Sequence, residues 1–144
     1  MAYVNDRTVH DADAHVMELP QKILDYLPKH QIQAFTEKAN KPVTVSQDLE
    51  RAIALQADTR FRAEDESQLM LRKNHLALGA FIPEDRVKTL DLLGFRSQLI
   101  FTTAALGNFG LDERDPKLAQ AAARAHNAMN TDFCAVDERM LATG

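Results

Sequence analysis

The sequence predicts an α/β fold in which short parallel strands alternate with helices, and three observations carry that prediction. Residues 8–16 alternate Asp11, Asp13 and His15 with Ala12, Ala14 and Val16, which is the period of a strand. Leu99, Ile100 and Phe101 form a short apolar run within residues 98–103, suited to a strand covered on both faces. Helix signals separate and follow these two strands, and a last strand begins in residues 140–144. The resulting order is βαβαβ, which implies parallel strands joined by right-handed crossovers.

Each element has a local cause. After the first strand, Pro20 stands at a good first helical position, and Ile23, Leu24 and Leu27 form a short apolar stripe that Pro28 stops, so a helix is expected over 20–27. Residues 29–78 are polar and mostly helix-like, with segments at 30–39, 48–61 and 65–71 broken at Asn40-Lys41-Pro42 and at a charged stretch. This reads as a helical insertion. Pro83 opens the next helix, whose Val87, Leu90, Leu93 stripe ends against Gly94 in the C-terminal glycine position. The longest helix begins at Asp115-Pro116 with Asp115 as its cap, and its inward stripe is Leu118, Ala121, Ala122, Ala125, Met129, Phe133 and Val136. The organisation is one partial domain over 1–144: strand and helix in 8–28, insertion in 29–78, second strand and flanking helices in 79–144.

Composition narrows the function classes. The chain has 144 residues, 45% of them apolar, with 17 Lys+Arg against 21 Asp+Glu and a net charge of −4. No basic stripe is present, which argues against nucleic-acid binding, since phosphate contacts need clustered Lys and Arg. The longest apolar runs fall far short of the ~20 residues that span a bilayer, so a membrane partner is not expected. The first seven residues carry no secretory pattern, and the single Cys134 has no internal disulfide partner, which together predict a reducing, cytoplasmic setting.

One constellation has a chemical argument behind it. On a strand, Asp13 and His15 lie about 6.5–7 Å apart at the backbone and point the same way, so that a carboxylate oxygen and an imidazole nitrogen can converge on one cation at ~2.0–2.2 Å. A divalent cation would also relieve repulsion from Asp11, expected on the same face. The other reading of these residues is a polar strand end. His10, His30, His75 and His126 have no partner at ligand spacing and read as packing or surface residues, and Cys134 reads as a small buried or half-buried thiol. Gly107-Asn108-Phe109-Gly110 follows a strand but lacks a phosphate-loop pattern; it reads as a loop near the strand ends, with Phe109 a candidate pocket wall.

Val9-His10-Asp11-Ala12-Asp13-Ala14-His15-Val16-Met17-Glu18-Leu19-Pro20 resembles the opening strand of the amidohydrolase-related family of metal-dependent hydrolases and decarboxylases. That family begins with an apolar strand, an acidic residue or His, one spacer and a His, followed in one branch by a Glu-Pro-like step; here Leu19 separates Glu18 from Pro20. The segments around 78–86, 90–95, 101–103, 115–119, 125–127 and 133–134 are similar to the family's first helix, second strand and second helix. The resemblance covers roughly 8–28 and 75–144. It implies the N-terminal part of a (β/α)8 TIM barrel: first strand, helical insertion, first helix, second strand, second helix and the start of a third strand. A complete barrel usually needs about 250 residues, so this chain would hold only part of one.

The resemblance further implies a divalent metal, zinc first and manganese second, with Asp13 and His15 as the first-strand ligand pair. It places Glu18 at the rim, hydrogen-bonding substrate or orienting a ligand; an acidic residue near a helix N-terminus is the alternative. The later ligands and the catalytic acid/base have no counterpart, so no catalytic residue is assigned within this chain. The expected parent reaction is hydrolysis or non-oxidative decarboxylation of a small carboxylate-type substrate. The expected partners are that substrate, a second copy or the remainder of a longer chain. The rival expectation is a non-catalytic helical binding or assembly module.

Overall fold

A computed structural model describes residues 2–39, 43–103 and 115–144. The strands are β1 (His10–His15), β2 (Ser97–Phe101) and β3 (Met140–Ala142), all parallel, in the order β1-β2-β3. The helices are α1 (Ile32–Lys38), α2 (Gln47–Ala57), α3 (Thr59–Ala63), α4 (Asp65–Gln68), α5 (Pro83–Leu93) and α6 (Pro116–Cys134), with short 3₁₀ turns at Pro20–Asp25, Lys29–Gln31 and Asn74–Leu76.

The expectation of an incomplete barrel is overturned. The chain is a small α/β domain with a three-stranded parallel sheet. Barrel geometry requires a sheet that closes on itself, whereas here β2 is the sole central strand and both β1 and β3 are edges among the described residues.

Ala14, Ile100 and Met140 form one face of the sheet, and Leu90 of α5 and Cys134 of α6 pack on it with Val87 and Phe133 at its margin. Both helices therefore cover the same face. The apolar run in β2 led us to expect cover on both faces, but only Gln98 and Ile100 are buried, while Leu99 and Phe101 are half-exposed. A second core joins Ile23, Leu27 and Phe35 to Leu118, Ala122 and Ala125 of α6. Phe35 of α1 is fully buried there, which ties the start of the polar middle segment to the body.

Local chemistry explains where the elements begin and end. The segment at 20–27 makes only a 3₁₀ turn, because Leu19 offers no side-chain cap and Pro28 stands three residues past its end at Asp25. The segment at 48–61 is two helices, because Asp58 leaves the helical conformation and caps a new one through Arg60 N–H at 2.8 Å. Asp115 does cap α6, accepting from Leu118 N–H at 3.1 Å. That helix ends at Cys134, so Val136, expected inward, is 45% exposed. Gly94 closes α5 in the left-handed region at φ 76°, and an added Cβ would lie 1.9 Å from Val4 O, where the N-terminal arm hydrogen-bonds to the helix end. No helix among the described residues is long and apolar enough to cross a membrane.

Candidate functional site at the carboxyl end of the sheet

The candidate residues sit where β1 and β2 end, the position at which open parallel sheets place their ligands. Asp13 and His15 share the face opposite the one that α5 and α6 cover, with Asp13 Oδ1 3.5 Å from His15 Nε2 and side chains 91% and 40% exposed. On the same face the His15 ring stacks on Phe101 of the neighbouring strand at 5.8 Å. The other ring nitrogen, Nδ1, lies 3.1 Å from Thr103 Oγ1. When Nδ1 carries the proton and donates it to Thr103, Nε2 is left with a lone pair directed beside the Asp13 carboxylate.

Thr103 is fixed in turn. Its backbone N–H donates to both carboxylate oxygens of Glu18 at 2.9 Å, and Glu18 is only 7% exposed. Glu18 thus holds the backbone just past β2 and acts on His15 through Thr103. Behind the strand, Arg86 of α5 donates through Nη2 to the His15 carbonyl at 2.5 Å and through Nε to Gly79 O at 2.9 Å. Burial pulls the Arg86 guanidinium below its ordinary pKa, with Asp11 opposing that fall. Gly79 permits the approach: its φ is 70°, and an added Cβ would lie 2.5 Å from the Arg86 backbone.

Asp11 does not join the pair. Between Asp11 and Ala14 the pairing with β2 slips, three steps along β1 matching two along β2. This bulge turns Asp11 toward Gln98, whose Nε2 donates to Asp11 Oδ2 at 3.1 Å, while Asp11 Oδ1 accepts from Asp13 N–H at 3.0 Å. Strict alternation over 8–16 missed the extra residue; the Asp-x-Asp spacing, which favours a side-chain-to-backbone turn, was the available signal.

Among the other titratable groups, His10 pairs with Ser97 Oγ at 2.7 Å, and Cys134 is a buried thiol pushed up to about 11 by its burial. The Gly107-Asn108-Phe109-Gly110 loop lies outside the described residues. Thr103, Arg86 and Phe101 are the participants that sequence reasoning missed. Among the described residues no group of three or more His, Cys, Asp and Glu comes together as a metal site. Comparison with protein-family models, with curated proteins and with solved structures finds no match for this chain.

Proposed function

We propose that Asp13 and His15 bind a divalent cation, zinc first and manganese second, in the service of metal-dependent hydrolysis or non-oxidative decarboxylation of a small carboxylate-type molecule, as in amidohydrolase-related enzymes. The observation that carries this reading is the 3.5 Å separation of Asp13 Oδ1 and His15 Nε2 on an open face. Ligand atoms at ~2.0–2.1 Å from a tetrahedral ion lie about 3.4 Å from one another, so the pair fits two adjacent positions of one ion without rearrangement. When bound, such an ion supplies Lewis-acid chemistry, lowering the pKa of water or polarising a substrate oxygen.

The chain's own residues do the rest. Thr103 Oγ1 holds the proton of His15 on Nδ1, Phe101 restrains the imidazole plane, and Glu18 keeps Thr103 in place through its amide. The exposure of Asp13 leaves the remaining coordination positions open to water or substrate. A cytoplasmic setting accords with the single, buried and unpaired Cys134.

The test is equilibrium dialysis against zinc followed by elemental analysis, with the Asp13→Ala, His15→Ala and His10→Ala variants alongside. Near-stoichiometric zinc in the wild type and in His10→Ala, lost in the other two, is expected. Zinc absent from the wild type, or retained by both site variants, overturns the reading.

A second reading, assembly without catalysis, is favoured by the sheet face on which, among the described residues, no helix packs. Leu141 on edge strand β3 is 49% exposed and pairs in register with Leu99. Parallel sheets are ordinarily covered on both faces, and a second copy of this chain would supply the cover.

A further inference from the structure

A cavity of about 240 Å³ lies on the other side of the sheet from Asp13 and His15, between the start of α5, the Pro20–Asp25 turn and the last turns of α6. Its apolar walls include Leu19, Phe81, Met129 and Phe133. Its polar lining has a consistent sense. Asn130 is 1% exposed, and its Nδ2 donates to Ile100 O and Thr143 O at 3.0 Å each, which spends both amide protons and fixes the orientation of the group. The Oδ1 atom is buried with no hydrogen-bond partner among the described residues. It is an acceptor awaiting a donor, and a buried acceptor left so carries a desolvation penalty that a ligand N–H would remove.

The charges around the cavity point the same way. Glu18 contributes a buried carboxylate, both oxygens of which accept from Thr103 N–H, and Asp132 contributes an exposed one that accepts from Tyr26 Oη–H at 2.9 Å. The lining's cation, Lys22, already faces Asp25 at 3.5 Å. Two aromatic rings, Phe81 and Phe133, line the cavity, and the face of such a ring attracts an organic cation.

We propose that this cavity binds a small organic cation, a primary ammonium on a compact apolar body, which donates to Asn130 Oδ1 while its charge lies near the Glu18 and Asp132 carboxylates. The cavity lies on the opposite face of the sheet from the proposed metal pair, and Glu18, which holds Thr103 through its amide, is the residue the two share. Lys22 and Tyr26 line the cavity with Asp132, so the ammonium competes with them for the carboxylate rather than entering an empty field.

The experiment titrates the full chain at neutral pH with benzylamine, benzyl alcohol and benzoate, reading binding by calorimetry and location by methyl resonances of Val16, Leu19 and Met129. Benzylamine is expected to saturate and to shift those methyls, with benzyl alcohol roughly tenfold weaker, the order of one cation–aromatic or charge-assisted contact. Asp132→Asn, a change at an exposed position, is expected to weaken benzylamine several-fold and leave benzyl alcohol unchanged. Leu19→Trp, checked for folding by circular dichroism, is expected to abolish binding of all three by filling the cavity. Should Leu19→Trp not fold, the wild-type methyl shifts alone locate the ligand. Equal affinity for the alcohol, a preference for benzoate, shifts confined to other residues, or no saturation by benzylamine at millimolar concentration would each overturn the proposal.

Discussion

Thr103 touches both halves of the candidate site, its hydroxyl at His15 and its amide at Glu18, residues 88 and 85 positions away in the chain. Thr103→Val keeps the shape and the amide but removes the oxygen that holds His15 in one tautomer. We expect zinc affinity in the dialysis assay to fall roughly tenfold, the lower end of what loss of a ligand-orienting hydrogen bond costs, with the thermal midpoint little changed. His126 gives a second prediction, independent of any metal. It is 6% exposed, neither ring nitrogen has a partner among the described residues, and burial lowers its pKa from 6.5 to about 4. Between those values the unfolded chain takes up a proton that the folded chain refuses. Stability from this group is therefore complete above about pH 6.5, is lost as the pH falls, and levels off below about 4. The loss amounts to about 3 kcal/mol. Urea denaturation across that window measures it, and His126→Leu should flatten the slope. His126 and Asn130 are both buried on α6, one turn apart, and neither was legible in an apolar stripe because both are polar.

At the scale of the element, α5 connects the site to its frame. Gly79 lets Arg86 reach the His15 carbonyl from one end, and Gly94 seats the N-terminal arm at the other. Gly94→Ala must accommodate a side chain at φ 76° and against Val4 O, so it should cost about 1–3 kcal/mol in chemical denaturation. It should also speed amide exchange at Tyr3 and Val4, whose N–H groups donate to Leu92 O and Leu93 O. The helix boundary at Gly94, the cap at Asp115 and the strand cores were readable from residue order, because each depends on neighbours within a turn. The bulge in β1 was not, because it is a mismatch against β2, a strand more than 80 residues on.

For the whole molecule, both crossover helices pack on one face and the other face holds Asp13, His15, Leu99, Phe101 and Leu141. The expectation of cover on both faces treated an apolar run as evidence of two partners, while Leu99 and Phe101 are half-exposed, Leu99 paired with Leu141 and Phe101 stacked on His15. If that other face draws a second copy, light scattering at increasing concentration should give a dimer, and Leu141→Lys should shift the weight toward monomer without loss of helical signal. A monomer at all concentrations would remove the assembly reading.

Residue order alone was sufficient for the α/β class, the places of the three strands, the glycine end of α5 and the pairing of Asp13 with His15, since period, capping and backbone freedom act over a few residues. The three-stranded sheet in place of a partial barrel, the turning away of Asp11, the contacts of Thr103 and Arg86 with the site, and the cavity behind Asn130 arise from groups brought together across the chain. Their positions depend on strand register and on which face each helix covers, and no local pattern encodes either.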